Sequence, residues 1–170
     1  MATSDSMPPG RDKAERLVQS YARRQNIYDA TLDANGDVAF GAFGFRHDPD
    51  KDALVGRAFV AKAWLPEDPP EYQDAYRKVA RALNDPYVGG MFEQGGGYFH
   101  LDEDKRMYFL QKDFPLSTTT PDDLAEGMDL LQELAATWTM RWFVRVANVA
   151  HGRAEPPVRP VTRDDPEGTY

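Results

Sequence analysis

Cysteine is absent from the 170-residue chain, which removes disulfides, thiolate nucleophiles and Cys-ligated zinc together. Positive charge is scarce: 20 Lys and Arg stand against 28 Asp and Glu, leaving a net charge of −8. A nucleic-acid binder needs a basic surface to displace phosphate counterions, and docking on anionic lipid needs one too, so the balance argues against both partners. No apolar run approaches the ~18 residues a membrane span requires. Met1 to Gly10 also lacks the apolar stretch of a secretory signal. These absences predict a cytoplasmic protein with no nucleic-acid or membrane partner.

Residues arranged for catalysis are missing as well. The three histidines, His47, His100 and His151, fall in a turn, a strand and beyond the last helix, and none forms an i, i+4 metal pair. Asp48, Asp50 and Asp52 alternate like the start of a calcium loop, but Ala53 stands where glycine is required and Phe59 where a bidentate glutamate is required. Gly95-Gly96-Gly97 has no following Lys-Ser/Thr and leads into a strand, so no helix N-terminus awaits a phosphate. Ser4, Ser6, Ser20 and Ser117 lie in no nucleophile-elbow setting. No catalytic residue, no metal ligand and no cofactor is assigned, and the chain reads as no enzyme.

What the chain does have is apolar and aromatic material, 41% and 12% of its residues, enough for a core. Residues 1–10 read as a flexible leader and 152–170, with Pro156, Pro157, Pro160 and Pro166, as a disordered Pro-rich tail. Between them, 11–151 reads as a single α+β domain. Leu17 and Tyr21 mark a helix over about 11–26. Three strands are expected at Ile27–Asp33, Val38–Arg46 and Ala53–Leu65, joined by the Asn35-Gly36 turn and the Asp/Pro-rich turn 47–52. The spacing of Tyr72, Ala75, Tyr76, Val79 and Leu83 predicts a helix over Glu71–Asn84. A glycine-rich loop over 85–97 precedes a hairpin of Tyr98–Leu101 and Arg106–Lys112. Thr120 as N-cap, Pro121 at the first helical position and Asp122 and Asp123 against the positive dipole end open a long last helix that Gly152 closes. The order is α-β-β-β-α-β-β-α, an antiparallel sheet packed against helices.

The strands Val38–Arg46 and Ala53–Leu65 are apolar on both faces, where a half-solvated sheet should alternate. Two explanations stand side by side. A bulge at Gly41 or Gly44 switches the phase and buries everything, or an apolar groove is left open for a partner.

The second half of the chain resembles a known family. Ala82-Leu83-Asn84, Gly95 through Asp102, Arg106-Met107-Tyr108-Phe109-Leu110, Phe114-Pro115-Leu116 and Leu124 through Trp138 look like the class I type III secretion chaperones, the Tir chaperone family. The likeness in element order and acidity extends over about 11–150. It implies a homodimer that holds an extended segment of a client effector protein without catalysis. Carried over, the client-binding residues are Leu17, Tyr21, Phe43, Phe45, Val55 and Phe59. The dimer interface is Tyr72, Tyr76, Val79, Leu83, Tyr98 and Phe99. The alternatives are a regulatory protein of the same fold unrelated to secretion, and an enzyme with a site assembled from scattered acids and histidines.

Overall fold

The computed structural model describes residues 7–84 and 97–153, with side chains at 82–84, 140–147, 149 and 150 outside the description. The expected loop 85–97, apart from Gly97, most of the leader and most of the Pro-rich tail lie outside the described residues. The elements run α1 (Arg11–Arg24), β1 (Asp37–Phe40), β2 (Phe43–Asp48), β3 (Ala53–Lys62), α2 (Pro70–Asn84), β4 (Gly97–Asp102), β5 (Met107–Pro115) and α3 (Pro121–Ala150). This is the expected order of an α+β protein. The strands form one antiparallel sheet in the order β1-β2-β3-β5-β4.

The first strand is not where the sequence suggested. Ile27–Asp33 forms no strand, because side chains of α1 capture it. Glu15 accepts the Leu32 N–H at 3.0 Å, and the Arg11 guanidinium donates to the Leu32 and Asp33 carbonyls at 2.8 and 2.7 Å. Left-handed backbone at Asn26 and Asp29 turns the segment away from a strand path. Asn35-Gly36 does form a tight turn, with Gly36 at φ +80°, but the turn closes this strap on Asp37 rather than joining two strands.

Val38–Arg46, expected as one strand, is two. Gly41, at φ +70°, and Ala42 make a two-residue turn, and Phe40 pairs with Phe43 across it. A two-residue turn reverses the parity of the chain. Val38, Phe40, Phe43 and Phe45 therefore all lie on one side of the sheet, which accounts for the apolar residues at both even and odd positions. The phase does switch at Gly41, by a hairpin rather than by a bulge.

The long helix is built as its caps announce. Thr120 Oγ1 accepts the Asp123 N–H at 3.1 Å, and the Asp123 carboxylate accepts the Thr120 N–H at 3.0 Å, a reciprocal box at the helix start. α3 lies on β3 and β5. A Cβ at Gly56 would come within 2.3 Å of Met128 Sδ, and one at Gly127 within 2.5 Å of the Phe114 ring, so bare backbone permits the close approach. Leu54, Ala58, Val60, Leu110, Phe114, Leu124, Leu131 and Trp138 fill this interface and are buried. α1 joins it through Tyr21, whose hydroxyl donates to Asp129 at 3.0 Å and accepts from Gln132 at 2.7 Å. Burial, then the Asp129 carboxylate, pushes that phenol upward, so it stays protonated. α2 completes the layer through Tyr76, stacked on Tyr108 with centroids 5.7 Å apart.

Candidate protein-binding site

The described ring contacts between helices and sheet, Tyr21 with Phe45, Tyr76 with Tyr108 and Trp138 with Phe99, fall on the side that carries Phe45, Leu54, Leu110 and Phe99. The opposite side carries no helix among the described residues. Its rows follow from the pairing. Ala39, Gly44, Arg57, Gln111 and Tyr98 stand side by side across the five strands, and the next row includes Phe59, Phe109 and His100.

The shape of this bare side is set by small residues. Ala39 and Gly44 place almost nothing above the backbone, and Gly44 has no alternative, since a Cβ there would meet the Val38 carbonyl at 2.7 Å. Beside them rise Phe59 and Phe109, a direct cross-strand pair packed edge to face at 6.4 Å. A groove of about 660 Å³ results, floored and walled by Ala39, Gly44, Phe59, Met107, Phe109 and Arg57. Phe43, on the helix side by register, also lines it at the hairpin end. Phe43, Phe59, Met107 and Phe109 are half-buried.

Arg57 is the central polar group. Its Nε donates to Gln111 Oε1 at 2.8 Å and its guanidinium lies 5.7 Å from the Phe109 ring centroid. Burial and then the nearby Arg46 both disfavour its charge, with Asp37 and Asp102 acting in the opposite sense. Further along, the Tyr98 hydroxyl donates to Asp113 at 2.8 Å and Lys51 pairs with the same carboxylate at 3.3 Å. Burial, and after it the Asp113 bond, pushes the Tyr98 phenol upward.

The residues expected to hold a client divide in two. The half-buried Phe43 and Phe59 line the groove, and the buried Phe45 borders it from the helix side. Leu17, Tyr21, Phe45 and Val55 are 5%, 1%, 1% and 4% exposed, so the expectation that they face water is corrected. Leu17, Tyr21 and Phe45 fill the layer between α1 and the sheet, and Val55 lies on the bare side, flanked across the strands by Arg46 and Asp113. The residues expected at a dimer interface divide similarly. Tyr76, Val79 and Phe99 are buried within the single chain, Phe99 against Trp138 at 6.1 Å. Tyr72 and Tyr98 are half-buried, and the side chain of Leu83 lies outside the described residues. Missed by sequence reasoning were Phe109, Met107 and Arg57. Phe109 was legible in the same alternation that drew attention to Phe59, but only the pairing of β3 with β5 places the two rings together.

The Asp48–Asp52 segment is a hairpin turn in which Asp48 Oδ1 accepts the N–H groups of Asp50 and Lys51. Among the described residues, no group of three His, Asp or Glu is placed to hold a metal ion, and no helix is long and apolar enough to cross a membrane.

An antiparallel five-stranded sheet with, among the described residues, its helices on one side is a fold this chain shares with a solved chaperone–effector complex. Among solved structures, the chain is similar to a chain of the HopA1–SchA chaperone–effector complex, at 19% identity and a TM-score of 0.52, with 77% of this chain and 96% of that one covered. It is also similar to a chain of the ExsC–ExsE complex, at 16% identity and a TM-score of 0.54, covering 76% and 93%. The likeness is one of fold. No family model and no curated protein matches the chain.

Proposed function

We propose that this protein is a secretion-chaperone-like binding module that holds an extended segment of a client protein, without catalysis and without a cofactor. The observation that carries the reading is the helix-free side of the sheet with its aromatic groove at Phe59 and Phe109. At ~25 cal/mol per Å², covering a few half-exposed rings supplies several kcal/mol of gross binding energy, part of which offsets the ordering of the client. Phe43 and Phe59 contact the client directly. Tyr21 and Phe45 act from beneath by packing on the Phe43 ring, and Leu17 and Val55 support the same part of the domain. The protein works in the cytoplasm as a homodimer, with Tyr72 and Tyr98 at the subunit contact and Tyr76, Val79, Leu83 and Phe99 behind them. The two structural neighbours come from complexes of paired proteins, one described as chaperone and effector, which favours a polypeptide partner over a small molecule.

The test is affinity capture from the native host with the wild-type chain and with Phe59→Asp. A single polypeptide retained by the wild type, lost by a variant with unchanged Tm, and protected from protease over one extended segment supports the reading. Equal retention by both proteins rejects it. Light scattering after gel filtration checks the dimer, which has twice the 19.2 kDa of one chain.

A further inference from the structure

The bare side of the sheet holds a cation that makes no direct ion pair among the described residues, although Asp37 and Asp102 favour its charge from a distance. Arg46 is paired with Asp37 at 3.2 Å, Lys51 with Asp113 at 3.3 Å, and Arg77 with Glu103 at 2.7 Å. The acids at the groove rim are engaged in their turn: Asp37 with Arg46, and Asp33 with the backbone N–H groups of Asn35 and Asp37 at 2.8 and 2.9 Å. Arg57 differs. Both of its described partners, Gln111 and Phe109, are neutral, and they fix the guanidinium plane at the groove wall. Gln111 takes only Nε, and among the described residues no hydrogen bond or ion pair engages the two terminal nitrogens, which leaves them to a ligand. Lys105 lines the same groove from the β4–β5 turn, while Ala39 and Gly44 leave space beside Arg57.

We propose that this groove selects an acidic side chain, and that the segment it takes is an extended peptide with a glutamate or aspartate between two apolar residues. The inference rests on the client-holding function above and names the chemistry of the client. An extended peptide presents alternate side chains to one surface, with about 6.6 Å between residues i and i+2. Apolar positions on that surface meet Phe59, Phe109 and Met107, and a carboxylate among them meets Arg57. A planar guanidinium already fixed by Gln111 and Phe109 binds a carboxylate with less loss of freedom than a mobile lysine does. The net charge of −8 works against capture of acidic segments in general. The acid is therefore accepted only where apolar neighbours dock with it, and the charge serves selectivity rather than attraction at a distance.

The experiment uses the full chain and three labelled, end-capped peptides of one design: alternating valines with a central glutamate, glutamine or lysine. Fluorescence anisotropy at two salt concentrations reads binding. The glutamate peptide is expected to bind wild type about tenfold more tightly than the glutamine peptide, with the lysine peptide weakest. The margin should shrink in Arg57→Gln and partly survive in Arg57→Lys. Phe59→Asp, which alters the apolar wall, should weaken all three. Equal binding of the glutamate and glutamine peptides, with loss of both in Phe59→Asp, overturns the acidic preference and leaves the client groove standing. Binding of none overturns both. A glutamate preference that persists in Arg57→Gln also overturns the assignment. So does a self-associated dimer in which the groove excludes every peptide, because the occupant is then a second copy of this chain.

Discussion

The two sides of the sheet are made by the same strands, from alternate residues, and they have opposite chemistry. On the helix side Phe45, Leu54, Leu110 and Phe114 are at most 4% exposed and interlock with α1 and α3. On the other side Phe59, Phe109 and Met107 are half-buried and stand among Arg57, Gln111, Tyr98 and Lys51. The difference shows that aromatic content alone does not mark a binding surface. What marks it is an aromatic pair left without a helix, beside positions emptied by Ala39 and Gly44.

Mutation should separate the two sides, beginning with the core. Phe45→Ala removes a ring packed against Tyr21 and is expected to cost about 3–5 kcal/mol in denaturant unfolding. Gly56→Ala forces a methyl toward Met128 and Phe114 and should cost about 1–3 kcal/mol by the same measurement. Thr120→Ala opens the reciprocal cap of α3, with an expected loss of about 1 kcal/mol. Phe59→Asp, on the bare side, should change stability by less than about 1 kcal/mol while abolishing client capture. A Phe59→Asp that unfolds as readily as Phe45→Ala would erase the distinction and make both rings simple core.

Acid sharpens the comparison further. His47 is 4% exposed on the helix side, and among the described residues its Nε2 has no hydrogen-bond partner. Burial first, and Arg11 second, hold its pKa below the ordinary 6.5. The unfolded chain therefore takes up the proton first. The contribution of His47 is fully present above about pH 6.5 and is lost as the pH falls through the depressed value. Urea midpoints recorded from pH 7.5 downward should decline over that window. The decline should be shallower in His47→Gln, and an unchanged slope would assign the acid sensitivity elsewhere.

Much of the architecture was legible because it is written locally. The Thr120-Pro121-Asp122-Asp123 start of α3, the spacing of Tyr72, Tyr76 and Val79, and the hairpin around Asp102–Lys105 each depend on neighbours within one turn. The expected strand at Ile27–Asp33 failed because Glu15 and Arg11, from the preceding helix, outbid the sheet for its backbone. The Gly41-Ala42 turn was written in the sequence as a Gly-X pair between phenylalanines. Its consequence, four aromatic or aliphatic residues brought to one side, emerges only when parity is followed through the turn. Exposure was the least legible property. Tyr21, Phe45 and Val55 look no different in the sequence from Phe59, and only the placement of α1 and α3 and the company of long polar side chains distinguish them.

The strap over residues 27–36 has a bearing on solubility. It docks on α1, and its Asp33 both donates its N–H to the Asp37 carbonyl and accepts the Asp37 N–H, each at 2.9 Å. Half of the outer rim of β1 is thereby occupied, and Ala39 remains as the next residue along it with main-chain groups turned outward. A protein that keeps an aromatic trough uncovered at cellular concentration risks lateral growth into ribbons and fibrils. This clasp shortens the border left free at the β1 edge of the sheet.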